Sequence, residues 1–527
     1  MPSHVFVVPG DLTRLAVDAW LLPTDSRIEI TDHWLNVPGV REARDRLRES
    51  PAGAPLRNGD VRAMAVPDWT GNGPQPVLVT VPLSGVSDAA EIEGPLREGL
   101  RIAADRTRGR SERGTPLIGM PLFAAGGGGG DRLRGRLLEV ALTVAEEMGR
   151  AKQVDVALVL KGGGSGSAAS NASRDLAQAQ AIRRARQDGW QDLGPELQAK
   201  ALDLAAEARN GRLVPFFGAG MSRAAGLPMW ATLIKQLAEG AGLDDRESEA
   251  LKRLPILDQA DVLRSSYADR PAFARAVAKR TTAARYGLGT ALLGGLPTSE
   301  AVTLNYDDLY EKACEDTGRP VAILPHETVP EGGRWLLKLH GTVTAPETIV
   351  LTREDYLGYS SGRAALSALA KALLLTRHLL FVGFGLEDDH FHELVHDVRQ
   401  VLPAGPRKER LGTALLIDTN PLFDKLWGND LRLVPMGGEV KGQGRTLEIF
   451  LDCLLAHADQ GVPFFLDERF AHRLTAPEVT LRERLRALAA ETGDDQRATA
   501  AWSVVADALD RLGAPEQLSR RVQPGDE

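Results

Sequence analysis

The sequence predicts an α/β fold that contains parallel sheets, and three kinds of observation lead to this prediction. Short apolar runs recur along the chain, as expected of buried parallel strands. Several of these runs end at glycines or polar residues, and the carboxyl ends of strands are where open parallel sheets bind ligands. Segments with helical periodicity stand between the runs. We therefore expect strands and helices to alternate through most of the chain.

The composition is that of a globular chain with more than one domain. A prior of about 150 residues per domain predicts two to four domains for 527 residues. The 43% of apolar residues are sufficient for several hydrophobic cores. The net charge of -8 argues against an extended nucleic-acid-binding face, because such a face needs a concentration of basic residues.

Cysteine content and the absence of long apolar runs favour a cytoplasmic protein. Cys314 and Cys453 cannot form a disulfide framework, and the sequence has no CxxC pair to hold a structural zinc. The first residues lack a basic leader, and no apolar run reaches the roughly 18 residues of a membrane span. We expect neither secretion nor membrane insertion.

The first part of the chain predicts an α/β unit of its own. An apolar run from residue 116 leads into five consecutive glycines, Gly126, Gly127, Gly128, Gly129 and Gly130, and then into an amphipathic segment. This order predicts a strand, a glycine loop and a helix. The other strands are expected at 5–10, 17–23, 77–83 and 154–160, with helical periodicity at 94–106 and 131–149.

The clearest domain boundary lies at residues 161–173, whose small and polar composition predicts a flexible linker or loop. Helical periodicity follows from 174 to 209 and ends near a glycine. The next apolar run, Leu213 to Phe217, breaks into Gly218, Ala219 and Gly220 before the amphipathic segment 230–237.

That break predicts a loop that binds phosphate. Glycines let the backbone approach a pyrophosphate closely, and the N–H groups and dipole of a following helix favour anions. Ser222 offers a hydroxyl beside the loop. The alternative is that a tight turn from strand to helix needs glycine only for steric reasons.

Three further strand ends carry polar or glycine residues. The run that begins at residue 301 ends at Asn305, with Asp307 two residues on, and the run from 335 stops at His340. A run from 379 ends at Gly383 and Gly385, and 412–418 predicts a fifth strand, while 244–297 is mostly helical. The alternative is structural, with His340 a satisfied polar residue and Asn305 a helix cap.

The ordered segments GAGMS, GLP, TLNYDD, KLHG and GFGLEDDH resemble the sirtuin-like domains of NAD-cleaving anti-phage effectors of the Thoeris type, over about residues 205–460. The resemblance implies a Rossmann-like domain. It implies that Gly218, Ala219, Gly220 and Ser222 hold the NAD phosphates, and that Gly383, Gly385 and Asp388 contribute to the cofactor-binding side. Asn305 would orient the nicotinamide ribose and the attacking water, Asp307 would face the nicotinamide pocket, and His340 would be the general base.

The chemistry of the reaction requires similar groups. Cleavage of the nicotinamide–ribose bond passes through an oxocarbenium-like state, which needs hydrogen bonds to ribose hydroxyls and a base. Histidine supplies a base near pH 7. Sirtuin deacetylases carry four zinc-binding cysteines, which this chain lacks, so we expect NAD hydrolysis without a metal.

The opening GDLTRLAVDAWLLPTD, residues 10–25, resembles the start of macro domains, which bind ADP-ribose and its relatives. This resemblance implies that Asp11 contacts the base and that the glycines from 126 to 130 bind phosphate. Macro domains usually carry asparagines where this chain has Pro23-Thr24-Asp25, so binding is expected rather than hydrolysis of ADP-ribose adducts. The alternative for Asp11 is a turn residue or helix cap.

The pentapeptide from His392 to His396 matches H-E-x-x-H, in which two histidines one helical turn apart bind zinc. No third ligand follows at the usual spacing, so a metalloprotease is disfavoured. In the tail, helices are expected at 478–492 and 495–512, and an apolar stripe formed by Leu481, Leu485, Leu488 and Ala489 serves either subunit packing or a domain cap.

The sequence thus predicts a macro-like ligand-sensing domain at 1–165, a linker at 166–195, a sirtuin-like domain at 196–460 and a helical region at 461–527. The expected function is NAD hydrolysis by a regulated defence effector. We expect an ADP-ribose-like nucleotide to bind the N-terminal domain as a signal, and we expect a homo-oligomer and a protein partner from the same defence system. Two alternatives stay open: a catalytically silent NAD-binding or ADP-ribose-binding module that recruits a partner, and a protein ADP-ribosyltransferase.

Overall fold

A computed structural model describes residues 3–69, 73–111, 113–126, 129–161, 167–186, 189–403, 410–417, 420–437 and 440–522. These residues form two compact units. The first unit combines Met1–Thr13, Val17–Gln191 and Asp459–Glu527, and the second combines Arg14–Ala16 with Asp192–Ala458. Gly127 and Gly128, which were predicted to bind phosphate, lie outside the described residues.

The strands of the described residues are β1 Val5–Pro9, β2 Ala19–Thr24, β3 Ala63–Ala65, β4 Gln75–Thr80, β5 Leu117–Pro121, β6 Asp155–Leu160, β7 Leu213–Phe217, β8 Glu300–Thr303, β9 Val321–Leu324, β10 Arg334–Lys338, β11 His378–Val382, β12 Gly412–Leu416 and β13 Leu431–Pro435. The expected α/β class is confirmed. Each predicted strand has a counterpart, whereas β3, β9 and β13 were not predicted.

The α-helices of the described residues are α1 Asp32–Leu35, α2 Val40–Glu49, α3 Ala54–Arg57, α4 Glu93–Thr107, α5 Arg134–Lys152, α6 Ser167–Ala185, α7 Gly194–Arg209, α8 Trp230–Glu239, α9 Asp245–Leu251, α10 Ile256–Ser266, α11 Arg270–Arg280, α12 Leu288–Gly295, α13 Leu309–Asp316, α14 Arg353–Leu357, α15 Tyr359–Gly362, α16 Ala364–Thr376, α17 Asp389–Val401, α18 Phe423–Trp427, α19 Val440–Ala458, α20 Ala476–Glu491, α21 Asp494–Arg497, α22 Ala500–Arg511 and α23 Glu516–Ser519. None of them is long and apolar enough to cross a membrane.

The first unit contains a six-stranded sheet in the order β1-β6-β5-β2-β4-β3. Its strand pairs are parallel except β3 with β4, which is antiparallel. Every residue of β1 and β6 is buried, because helices such as α4 and α5 cover the sheet. The segment expected to be a flexible linker is helical from Ser167 onward as α6, whose Ala179 and Ile182 join the core of this unit.

The C-terminal helices belong to this first unit rather than standing apart. Phe464 and Phe470 pack in the core beneath the six-stranded sheet. The predicted stripe on α20 is divided: Ala489 is buried and Leu485 packs beside it, but Leu481 and Leu488 are each 52% exposed. Ala489 and the partly buried Leu485 contact a small core that includes Trp502, as expected of a domain cap, while subunit packing through the exposed Leu481 and Leu488 stays a prediction.

The second unit contains a seven-stranded sheet in the order β13-β12-β11-β7-β8-β10-β9, and all of its strand pairs are parallel. All five residues of β7 are buried. The chain runs from β7 to β8 on one side and later returns to place β11 on the other side of β7. This reversal of strand order is a topological switch point, where open α/β sheets bind ligands outside the carboxyl ends of their strands.

Candidate functional site

The first glycine loop of the second unit is held against the end of β11. The N–H of Gly218 donates to the carbonyl of Val382 at 3.1 Å, and the N–H of Gly220 donates to the carbonyl of Gly383 at 3.0 Å. A methyl group on Gly220 would lie 2.8 Å from the Gly383 oxygen. These glycines therefore allow two loops to touch at the switch point, and two of the backbone donors expected for phosphate are used in that contact.

The predicted helix at residues 230–237 is present as α8, but a 3-10 segment that was not predicted separates it from β7. Residues Ala219–Ala225 form a 3-10 helix that ends at Gly226, whose φ of 80° is in the left-handed region. The α-helix α8 begins only at Trp230. The expected dipole of a long helix at the glycine loop is therefore replaced by that of a short 3-10 segment.

Ser222, Asn305 and Asp307 form one hydrogen-bonded network. The Asn305 amide Nδ2 donates to Ser222 Oγ at 3.1 Å, and the Ser222 hydroxyl donates to Asp307 Oδ2 at 2.8 Å. Thr303 Oγ1 accepts from the Asn305 N–H at 3.0 Å and donates to the Phe217 carbonyl at 2.9 Å. The ends of β7 and β8 are thus tied together, and all three predicted side chains of the network are buried.

Lys338, the last residue of β10, contacts the turn that contains Asn305 and Asp307. Its side chain is fully buried, and Nζ donates to Glu311 Oε1 at 2.6 Å and to the carbonyls of Tyr306 and Asp307. Burial raises the pKa of the Asp307 and Glu311 carboxyl groups, and the Lys338 charge opposes that rise. Lys338 therefore fixes the backbone that presents Asn305 and Asp307.

His340 lies two residues after β10, beside the Asn305 turn. The N–H of Leu339 donates to the Thr303 carbonyl at 3.0 Å, and the N–H of Val343 donates to the Tyr306 carbonyl at 2.8 Å. The imidazole is 1% exposed. Burial lowers the pKa of His340 to about 4, although the nearby Asp388 carboxylate opposes this shift. The ring is therefore neutral near pH 7, and it is a weaker base than the sequence suggested.

The second glycine turn follows β11 and brings a histidine against His340. Gly383 has a φ of 59°, and Leu386 has a φ of 60°, which is unusual for a residue with a side chain. Asp388 caps α17 by accepting from the Phe391 N–H at 3.1 Å. His390, in the first turn of that helix, lies with Nδ1 2.9 Å from His340 Nε2.

Two tyrosines enclose the His390 ring. Tyr356 stacks on it with ring centroids 4.1 Å apart and planes 11° apart, and Tyr359 lies 3.8 Å away by centroid. The Tyr356 hydroxyl donates to Asp388 Oδ2 at 2.7 Å, and the Tyr359 hydroxyl donates to the Leu339 carbonyl at 3.1 Å. The side of the site around His340 is therefore tightly packed.

The structure thus brings together Ser222, Asn305 and Asp307 in one network and His340 with Asp388 in a second cluster. Gly385 is exposed on the second turn. Sequence reasoning assigned no role to Lys338, Glu311, Tyr356, Tyr359 or His390. Lys338 and His390 lie inside the segments KLHG and GFGLEDDH. Only this adjacency to predicted site residues in the sequence could have indicated a role for them.

Two groups of residues that include histidines carry donor atoms of the kind that bind metal ions. In the part of the chain that the structure describes, the group with three ligand atoms close enough to share an ion is His340, Asp388 and His390, whose atoms lie within 4.8 Å of one another. His392 and His396 of the H-E-x-x-H pattern are exposed and do not belong to it, and His392 Nε2 lies 3.0 Å from the Leu386 carbonyl. The pattern therefore lies on the outer face of α17.

In the first unit, Asp11 follows β1 and its carboxylate is engaged by neighbouring groups. It accepts from the Thr13 N–H at 2.9 Å and from the Thr13 hydroxyl at 2.8 Å, and it lies 3.2 Å from His33 Nε2 and 3.0 Å from Lys161 Nζ. Burial favours the neutral carboxyl, but His33, Thr13 and Lys161 together lower the pKa of Asp11. Asp11 is thus a turn residue, and its carboxylate also contacts Lys161, which follows β6.

The described glycines of the predicted phosphate loop lie between β5 and α5, as expected. Gly129 has a φ of 73°, and its N–H donates to the Gly126 carbonyl at 3.2 Å. The N–H of Gly130 donates to the Ala124 carbonyl at 2.9 Å, and a methyl group there would lie 2.7 Å from Val86. Gly129 and Gly130 are therefore required by the turn itself, whatever else the loop binds.

Comparison with known proteins gives a similarity for part of the chain. Residues 299–426 match the family model of the SIR2-like domain. The chain is 26% identical to defense-associated sirtuin 2 of Bacillus subtilis over 238 residues, which are 42% of this chain and 22% of that protein. It is 26% identical to NAD(+) hydrolase ThsA of Enterococcus faecium over 233 residues, which are 41% of this chain and 47% of that protein.

A second NAD(+) hydrolase ThsA, from Bacillus cereus (strain MSX-D12), is 27% identical over 229 residues, which are 41% of this chain and 46% of that protein. The chain spans less than half the length of each of these curated relatives. The expected similarity to sirtuin-like domains is confirmed for residues 299–426, which include Asn305, His340 and Gly383.

Proposed function

We propose that this chain is an NAD+ hydrolase that acts as a regulated effector in anti-phage defence. The observation that carries the proposal is that a buried histidine follows β10 and the Asn305 and Asp307 side chains of a hydrogen-bonded network follow the neighbouring strand β8 of one parallel sheet, in the part of the chain that matches the SIR2-like domain. The names of the similar proteins, NAD(+) hydrolase and defense-associated sirtuin, support NAD as the substrate and defence as the biological role.

In the proposed reaction, water adds to the ribose carbon as the bond to nicotinamide breaks. Nicotinamide leaves with the bonding electrons and is neutral, and ADP-ribose keeps the new hydroxyl. The proton of the attacking water goes to His340, and Asn305 holds the ribose hydroxyl and the water. A positive, oxocarbenium-like transition state needs little removal of that proton, so a weak base is sufficient.

The glycine loops would hold the rest of the dinucleotide. We propose that Ala219 and Ser222, with Gly218 and Gly220, face the phosphates, and that Gly383, Gly385 and Asp388 line the adenosine side. Asp307 would face the nicotinamide. The proposed reaction uses no metal, because each of its steps can be assigned to a side chain of this chain.

We also propose that the first unit regulates the second. Its glycine loop after β5 and its buried Asp11 fit a macro-like site for an ADP-ribose-like nucleotide, in the proposed domain 1–165. The proposed linker 166–195, the catalytic domain 196–460 and the helical region 461–527 complete this organisation. A homo-oligomer and a protein partner from the same defence system are part of the proposal, since an effector that depletes NAD must be inactive until needed.

Nicotinamide release from NAD by the purified full chain tests the catalytic proposal. Asn305→Ala and His340→Ala are each expected to lower kcat on the order of 100-fold or more, because each removes a group that acts on the transition state. His396→Ala is the matched control, since this exposed histidine of α17 has no role in the site and should leave release unchanged. Equal release by all four proteins would rule out this site.

The same assay separates the rival functions when ADP-ribose or an extract of phage-infected cells is added. Bound NAD without nicotinamide release under any of these conditions would favour the silent binding module. Transfer of label from adenine-labelled NAD to a protein would favour ADP-ribosyl transfer. Release only after the addition of ADP-ribose or extract would support regulation by a ligand or partner.

Burial of His340 sets the expected pH dependence. Its pKa is lowered to about 4, so the imidazole remains unprotonated as the pH falls through the ordinary histidine pKa of about 6.5. We expect kcat/KM for nicotinamide release to stay level from about pH 8 to pH 5.5, and to fall only when protonation near pH 4 removes the base. A fall in kcat/KM centred near pH 6.5 that persists when the other histidines are replaced would contradict this expectation.

A further inference from the structure

His340 and His390 share a single hydrogen bond, which determines where the hydrogen of each ring lies. His340 Nε2 and His390 Nδ1 are 2.9 Å apart, so one of these atoms carries the hydrogen and the other accepts it. Burial lowers the pKa of both rings, which are therefore neutral near pH 7 and carry one hydrogen each.

The second nitrogen of His390 decides between the two arrangements. Nε2 lies 3.4 Å from the Tyr356 carbonyl oxygen, at the long end of the range for a hydrogen bond. A carbonyl oxygen only accepts, so His390 Nε2 carries the hydrogen of that ring. His390 Nδ1 must then be the acceptor, and His340 Nε2 must be the donor.

This assignment leaves the lone pair of His340 on Nδ1. Tyr356 and Tyr359 lie against the His390 ring and hold the orientation in which its Nδ1 faces His340. Tyr356 is itself held by Asp388, which also caps the helix that carries His390. The hydrogen-bond acceptor for His340 is therefore built into the packing between β10 and α17.

We propose that His390 is a positioning residue, whose Nδ1 accepts the hydrogen of His340 Nε2 and keeps the basic lone pair of His340 on Nδ1. This proposal rests on the proposed function, in which His340 accepts the proton of the attacking water. His390 does not touch substrate in this role. It selects the tautomer and the ring orientation of the residue that does.

A shared metal ion is the competing explanation for two histidines and an aspartate at this spacing. The contacts of the three residues disfavour it. The two imidazole nitrogens already face each other at hydrogen-bond distance, and both Asp388 oxygens accept, one from the Tyr356 hydroxyl and one from the Phe391 N–H. An ion shared by the two rings would have to replace the hydrogen bond between His340 and His390, although Asp388 could keep both of its bonds and still coordinate.

Two substitutions of His390 in the full chain separate positioning from packing. Phenylalanine keeps a ring between the tyrosines but removes the acceptor, whereas asparagine loses the ring but places its Oδ1 near the position of Nδ1. We expect His390→Phe to lower kcat for nicotinamide release about 10- to 100-fold with KM changed by less than about 3-fold, and His390→Asn to restore most of the loss. If packing alone matters, His390→Phe will be the more active variant, and the proposal fails.

A second measurement does not depend on turnover. The ring 15N chemical shifts of histidine-labelled wild-type protein, assigned by comparison with His340→Asn, report which nitrogen of His340 carries the hydrogen. We expect the hydrogen on Nε2 in the wild type and a mixture of tautomers in His390→Phe. A hydrogen on Nδ1 in the wild type, or one equivalent of zinc in the purified protein, would overturn the proposal.

The two measurements also separate a failure of the positioning role of His390 from a failure of the proposed NAD hydrolase function. If the wild type releases no nicotinamide but shows the hydrogen on His340 Nε2, the NAD hydrolase proposal fails while the tautomer assignment stands. If the wild type releases nicotinamide and His390→Phe is equally active, the hydrolase stands and the positioning role is excluded.

Discussion

Replacing Lys338 by methionine should lower the free energy of unfolding by about 3–5 kcal/mol, because it leaves the partner of a buried ion pair without its counter-charge. Lys338 is fully buried, and the Glu311 side chain that it meets at 2.6 Å is 17% exposed. Methionine fills a similar volume but cannot donate to Glu311 or to the carbonyls of Tyr306 and Asp307. Urea titration followed by circular dichroism measures the loss.

The matched control removes both charges together. The double variant Lys338→Met/Glu311→Gln should be less destabilised than Lys338→Met alone, because no carboxylate is then buried without a partner. A double variant that loses as much as the two single variants added together would show that the pair is not coupled. In that case the turn at Asn305 would depend on packing rather than on the Lys338 charge.

Gly383→Ala should cost about 2–5 kcal/mol and displace the first glycine loop. This cost has two parts: alanine in a left-handed backbone conformation costs about 1–2 kcal/mol, and the overpacking by its methyl group costs about 1–3 kcal/mol. Gly383 has a φ of 59°, and a Cβ there would lie 2.6 Å from the Met221 nitrogen. Thermal and urea unfolding give the cost, and NAD binding measured by calorimetry reports the displaced loop.

Gly385→Ala is the control for that substitution, two residues farther along the same turn. A Cβ at Gly385 meets no atom of the described residues within 4 Å, and the position is exposed. Its stability should change by less than about 0.5 kcal/mol. Equal destabilisation by the two alanines would mean that the contact between the loops at Gly220 and Gly383 is not what requires glycine.

The sequence was sufficient to predict the main features of the second sheet. A parallel strand that is buried on both faces is largely apolar, so the runs in Leu213–Phe217 and in His378–Val382 after its first residue stand out from their surroundings. The short strand Val321–Leu324 and the partly exposed Leu431–Pro435 lie toward the edges, where only one neighbour and less burial are required. Val321–Leu324 is apolar but only four residues long, and Leu431–Pro435 is interrupted by Arg432, so neither strand was predicted.

The candidate site was predictable only in part, for a different reason. Asn305 and His340 follow strand ends, and the carboxyl ends of parallel strands share one edge of a sheet. The contact between His340 and His390 joins residues 50 positions apart, so periodicity contains no trace of it. The lowered pKa of His340 likewise arises from tertiary burial. The helicity of residues 167–173, the first part of α6, was missed because their small and polar composition indicates a linker and says nothing of the packing of the rest of that helix.

Ser222 makes two of the proposed catalytic groups energetically dependent on each other. Its one hydroxyl receives the Asn305 amide and donates to Asp307, so its removal deprives both side chains of a partner at once. Losses measured for the three residues singly will therefore not sum to the loss of the triple variant. Only a double-mutant cycle has a defined meaning in such a network, because the contribution of Asn305 depends partly on the serine in the 3-10 segment that follows β7.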